Sequence, residues 1–295
     1  MSWKRFLPVL SWFPMGRDQV VADVLAGVAL GLLLIPQSLA YAHLAGMPPV
    51  HGLYAAFLPL IFGAIFGVCG QLTTGPVAMT AILTAAVLSL HAQPGDPQWI
   101  ALAAVLAVLV GVIRIILGLL RASFLVSLLS HPVMVGFTAA AACIIAESQI
   151  ASLIGVDAGR SQGFFTHVIA ILTQLTDLHW PTVAMGTGSL VALILLKRWL
   201  SRIPPILPVA AAGTAIAWAT GYAAAGGDIV GDLPSGLPPL GISGWDWTLA
   251  WRLLPDALWI TLIGFMEVLS ITKAVEARTR QRVDLDQELI GQGMA

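Results

Sequence analysis

Apolar residues fall into eight long runs separated by short polar breaks: roughly Val21–Leu44, Val50–Val68, Pro76–His91, Trp99–Leu119, Val133–Ile154, Val183–Leu200, Pro205–Ala225 and Leu253–Ala274. Crossing a bilayer takes about 20 mainly apolar residues, so each run predicts a membrane helix, the third a short one. The breaks carry turn chemistry. His91-Ala92-Gln93-Pro94-Gly95-Asp96-Pro97 is a turn cluster, and Gly226 to Asp246 is a polar loop rich in Gly and Pro. Gly155 to Pro181 is mixed, with an amphipathic surface helix predicted around Phe164–Leu175. The chain closes on Glu288-Leu289-Ile290-Gly291-Gln292-Gly293-Met294-Ala295, which reads as a helix cut short. No soluble domain is predicted.

Composition agrees with the pattern. Hydrophobic residues make up 58% of the 295 and charged residues 10%, against about 25% charged in soluble domains. Mean hydropathy is +0.90. So few charges cannot cover a water-soluble body, and an all-α polytopic membrane protein follows. The 29 glycines and 10 tryptophans suit close helix packing and interfacial anchoring. A net charge of −1 gives no field for gripping nucleic acid. Cys69 and Cys143 lack metal-ligand spacing and read as two small buried hydrophobes. No cofactor motif is present, and no nucleophile–base pair or metal set points to an enzyme. Residues 1–20 form an interfacial segment: Pro8 and Pro14 interrupt its apolar run, no small-residue cleavage site follows, and Trp3, Phe6, Trp12 and Phe13 anchor it. Residues 21–295 form the transmembrane domain.

Lys and Arg set the orientation. With the amino terminus in the cytoplasm and eight spans, that side receives Lys4, Arg5, Arg17, Arg114, Arg121, Lys197, Arg198, Arg202, Lys273, Arg278, Arg280 and Arg282. The far side receives only Arg160 and Arg252. Arg114 and Lys273 are counted from helix ends, where long stems snorkel.

Three places depart from a generic apolar helix. In the first span, Pro36 removes a backbone hydrogen bond, and Gln37 and Tyr41 share one helix face. Such freed backbone is tolerated against protein or a wet cavity, so a packed kink and a ligand pocket both fit. The second place is Thr73-Thr74-Gly75-Pro76-Val77-Ala78-Met79-Thr80. A helix starting there would aim the amides of Val77, Ala78 and Met79 at an anion; ordinary Thr capping explains the same letters. A short segment with a Gly/Pro start is the pointer to a transporter site near mid-membrane. The third place is acidic residues at depth, Glu267 foremost and Glu147 less so. An ionised carboxylate there is costly, and no base stands three or four positions from Glu267.

At these residues the sequence resembles the SulP sulfate-permease family of anion transporters. The likeness runs through Ile35-Pro36-Gln37-Ser38-Leu39-Ala40-Tyr41-Ala42 and Leu44-Ala45-Gly46-Met47-Pro48-Pro49-Val50-His51-Gly52-Leu53-Tyr54. It continues through Gly75-Pro76-Val77-Ala78, Ser130-His131-Pro132-Val133-Met134-Val135-Gly136-Phe137-Thr138 and Pro234-Ser235-Gly236-Leu237-Pro238-Pro239. The resemblance implies two inverted seven-helix repeats, a core and a gate domain, and a following cytoplasmic STAS domain. It implies an anion held between two half-helices, with Gln37 and Tyr41 lining the pocket and Val77 and Ala78 offering amides. Glu267 matches the family's acidic position on the eighth helix. On this reading the chain is an amino-terminal fragment, ending before the second half-helix and the STAS domain.

The expected activity is secondary transport of a small anion, of the sulfate, bicarbonate or dicarboxylate class, by alternating access in the inner or plasma membrane. Sodium-coupled relatives carry a hydroxyl residue one turn after the acid; Ile271 stands there, so the coupling ion is expected to be a proton. The lipid bilayer is the other partner, and a homodimer is expected at full length. A nucleobase carrier of the same inverted-repeat fold and an inactive membrane scaffold are the rival readings.

Overall fold

The computed structural model describes residues 7–124, 131–156, 164–174, 176, 178–199, 205–231, 236, 247–280 and 282–295. Of the features named above, Trp3, Lys4, Arg5, Phe6, Ser130, Arg160, Arg202 and all of Pro234–Pro239 except Gly236 lie outside those residues. The described residues form a short 3-10 helix, Pro8–Ser11, and helices α1 (Arg17–Leu44), α2 (Pro49–Phe66), α3 (Ala78–Leu88), α4 (Pro97–Leu119), α5 (His131–Ile154), α6 (Phe164–Thr173), α7 (Trp180–Trp199), α8 (Ile206–Thr220), α9 (Trp247–Thr279) and α10 (Leu285–Met294). Every predicted apolar run is a helix, and the predicted surface helix is α6. Among the described residues, five helices, α1, α2, α4, α7 and α9, are long and apolar enough to cross a membrane.

Local chemistry sets the boundaries. The backbone amide of Gly16 donates to the Gln19 side chain at the start of α1. At its end Gly46 takes φ +72°. The amides of Gly46 and Met47 then close onto the carbonyls of His43 and Ala42, at 3.0 and 2.9 Å. α1 continues through Pro36. Its outer side chains Val21, Val24, Leu25, Val28, Leu32 and Ile35 are all exposed, an apolar surface suited to lipid. Cys143 is likewise exposed on α5 while Cys69 is buried. The expectation of two buried cysteines therefore fails for Cys143, because apolar positions of a membrane helix can face outward.

The chain divides into two compact units. The first takes in Met1–Ala22, Ser38–Phe137 and Pro234–Ala295, and α4 is its hub, packed on α3, α9 and α10. Leu88, Trp99, Leu102, Val105, Leu253 and Ala257 form its sealed core, while Phe265, Met266, Leu269 and Leu289 join α9 to α10. Where lipid replaces water outside, such cores stabilise through close packing and interhelical hydrogen bonds. Trp99 shows both, filling the core while its indole N–H donates to the Ala45 carbonyl at 3.1 Å.

The second unit takes in Asp23–Gln37 and Thr138–Leu233. A polar chain ties the start of α7 to the turn after α8. His179 Nε2 lies 2.9 Å from the Ala225 carbonyl, His179 Nδ1 2.7 Å from Thr182 Oγ1, and Thr182 Oγ1 2.6 Å from the Tyr222 hydroxyl. A carbonyl only accepts, so in the neutral ring Nε2 donates, Nδ1 accepts from Thr182, and Thr182 accepts from Tyr222. Glu147 is buried on α5 of the same unit.

Candidate functional site

The first unit contains a cavity of about 240 Å³, walled by the end of α1, the start of α2 and the start of α3. Gly52 allows this meeting. A Cβ there would land on the Ser38 backbone carbonyl, so only glycine lets α2 lie so close to α1. His51, the preceding residue, and Tyr41 and Ala42 of α1 face the cavity.

The opposite wall is built by Pro76, Val77, Thr80, Ala81 and Thr84. α3 begins at Ala78, with Val77 as an extended N-cap residue and no side-chain cap. The Thr-capping alternative therefore does not hold. Thr74 packs instead against α2, where a Cβ at Gly63 would come 2.5 Å from its Cβ. Thr80 Oγ1 is also committed, donating to the Val77 carbonyl at 3.0 Å. The first-turn amides are those of Ala78, Met79 and Thr80, one residue later than the sequence suggests. They stand at the positive end of the helix dipole without any carboxylate in the first turn. With 11 residues, α3 is about 16 Å long, about half the hydrocarbon thickness.

Beside the cavity lies a charged cluster. A Cβ on Gly264 of α9 would collide with the Arg114 guanidinium and come 3.7 Å from Thr80 Cγ2. Thr80 thus reaches from the cavity wall to within one helical turn of Glu267. Arg114 is not a snorkelling residue at a helix end. Its Nη1 donates to Gln292 Oε1 of α10 at 3.4 Å, and its Nε is buried without a partner. Glu267, half-buried, interacts electrostatically with Arg114. Burial of either charge alone costs several kcal/mol, and the opposite sign across the α4–α9 interface offsets part of that.

The predicted site residues are thus partly gathered. Tyr41 and Val77 line one cavity, Ala78 is buried as the first residue of α3, and Glu267 stands one turn from Gly264. Gln37, one turn before Tyr41 on α1, is half-buried and is not among the cavity-lining residues. Sequence reasoning missed His51, Thr80 and Arg114. Thr80 was legible, being three residues past the N-cap. Arg114 was not, since its neighbours on α9 and α10 are far away in sequence.

Comparison with known proteins gives one consistent result. Residues 20–295 match the Sulfate permease family. Sulfate transporter 4.1, chloroplastic, of Arabidopsis thaliana is 37% identical over 98% of this chain and 43% of its own length. The murine solute carrier 26 family member A9 anion transporter, solved in an inward-facing state, is 24% identical, with a TM-score of 0.82 over 98% of this chain and 51% of that one. The transmembrane domain of a cyanobacterium bicarbonate transporter, BicA, is 21% identical, with a TM-score of 0.80 over 95% of this chain and 72% of that one. The chain spans a little under half the length of the curated relatives it matches.

Proposed function

Because this chain belongs to the sulfate permease family, we propose that it supplies the first part of the anion pathway in a secondary transporter for a small oxyanion, sulfate being the first candidate. It is a multi-pass membrane protein, and its relatives are named as transporters rather than enzymes. The observation that carries the proposal is the uncapped start of α3, whose N-cap residue Val77 lines a cavity shared with Tyr41. Free amides at a positive helix end attract an anion without a fixed cation. An anion so held exchanges its water shell for preorganised dipoles and can leave again. Gln37, one turn along α1, serves as a further polar contact on the path.

In this reading the two compact units are the core and gate of an alternating-access carrier, the amino terminus is cytoplasmic, the membrane is the inner or plasma membrane, and the full-length protein is a homodimer. Glu267 carries the coupling proton. Ionised, Glu267 balances the neighbouring Arg114; protonated, it leaves the Arg114 charge to be balanced by the anion that crosses with it. Ile271, exposed and apolar one turn further on, offers no oxygen to sodium.

Uptake of labelled sulfate into proteoliposomes tests this. An inward proton gradient should accelerate uptake several-fold, with the rate rising as external pH falls. Glu267→Gln should keep sulfate exchange and lose that acceleration. Gradient-driven uptake that survives in Glu267→Gln would remove Glu267 from coupling.

A further inference from the structure

Two histidines of the described residues show different states of their rings. His179 has both nitrogens bonded, Nε2 to the Ala225 carbonyl and Nδ1 to Thr182. That is how a histidine with a holding role is arranged here. His51 has neither. Its Nδ1 is buried without a partner, and the ring meets Tyr54 edge to face at 6.1 Å between centroids. The backbone amide of His51 is already spent on the Pro48 carbonyl at 3.0 Å. The residue nevertheless stands on the wall of the cavity, in the first turn of α2, facing the space that Val77 closes from the other side.

We propose that His51 is a substrate-facing residue, donating from Nε2–H to an oxyanion seated at the start of α3; this deepens, and rests on, the oxyanion reading above. The tautomer follows from burial. A buried N–H without an acceptor is rarer than a buried lone pair without a donor, so the neutral ring carries its proton on Nε2, away from sealed Nδ1. Nε2 is then a donor in search of an acceptor, in a cavity whose other polar side chain from α3's first turn, Thr80, points its hydroxyl proton at Val77. An oxyanion brings several acceptor oxygens, so one can meet the α3 amides while another meets the imidazole. Gly52, locked against Ser38, fixes the turn that carries His51. The role is to position and select the anion: loss of the donor should weaken sulfate more than chloride, which offers one atom instead of several oxygens.

Isothermal titration of the purified protein with sodium sulfate, and separately with sodium chloride, tests the assignment. His51→Leu should weaken sulfate binding about tenfold, the value of one hydrogen bond to a charged group, and chloride binding far less. His51→Gln, whose terminal amide reaches the Nε2 position, should recover most of the affinity. His51→Asn, which reaches only the Nδ1 position, should not. Wild-type sulfate affinity in His51→Leu, or equal recovery by Gln and Asn, overturns the role of His51 alone. A wild-type protein that binds no sulfate overturns the oxyanion reading together with it.

Discussion

The starts of α3 and α10 face the same physical demand and meet it in opposite ways. Each leaves first-turn amides without helical partners at a positive dipole end. α10 supplies its own negative charge. Asp284 accepts from the amides of Asp286 and Gln287 at 3.1 and 3.2 Å, and Asp286 and Glu288 sit in the first turn. The surplus carboxylates serve the neighbours. Asp286 accepts from the Ser123 amide at 3.1 Å. Buried Glu288 accepts from the Val68 and Cys69 amides at 2.9 and 3.0 Å. α3 has no carboxylate in its first turn and no side-chain cap, and its N-cap residue Val77 lines a cavity. Within one compact unit, then, a helix start that holds structure together is filled from the chain, and one left open is available to a mobile anion. In the proposed reading, the missing cap, not helix polarity alone, singles out α3 as the anion site.

That contrast can be broken at α10. Glu288→Ala strands the buried Cys69 amide and the part-buried Val68 amide, a buried one being worth about 1–3 kcal/mol when unsatisfied, so the thermal midpoint in nanodiscs should fall by the largest amount of any change at this end. Sulfate affinity measured below that midpoint should stay near wild type. A loss of affinity without loss of stability would mean that α10, too, addresses the anion. A smaller effect sharpens the same point. Asp284→Ala removes a cap worth about 1 kcal/mol, and slower growth of hydrogen–deuterium exchange at Asp286 and Gln287 in wild type than in the variant would show it. Identical exchange in the two would deny Asp284 its capping role.

How much of this was readable beforehand follows the range of the interactions. Hydropathy and turn residues are local, so α1–α5 and α7–α9 appear within about six residues of the apolar runs, and α6 within the predicted amphipathic segment. The start of α10 appears in the final residues. Gly75-Pro76 flagged α3, yet the first helical residue is Ala78, because Thr74 is drawn onto Gly63 and Pro76 stays in the lead-in. Tyr41 and Val77 could be singled out from their own segments, and the two line one cavity. The partner of Glu267 was not: a search three or four positions away finds no base, while Arg114 comes from another helix. Glu288 was hidden for the same reason, since its amide partners lie 219 and 220 residues earlier. His51 stood within a noticed motif but carried no local signal of the role proposed for it, which rests on the unpartnered, buried Nδ1 and the shared cavity.

The central claim is that α3 is left without a carboxylate so that an anion can take that place. Val77→Asp tests it most directly, because it gives α3 the kind of cap that Asp284 gives α10. Its carboxylate would accept from the amides of Met79 and Thr80 and hold negative charge where the substrate is expected. Sulfate binding should weaken by about tenfold or more, with the thermal midpoint held or raised by the new cap, and the neutral cap in Val77→Asn should cost less affinity. A folded Val77→Asp protein that binds sulfate as tightly as wild type would contradict the account.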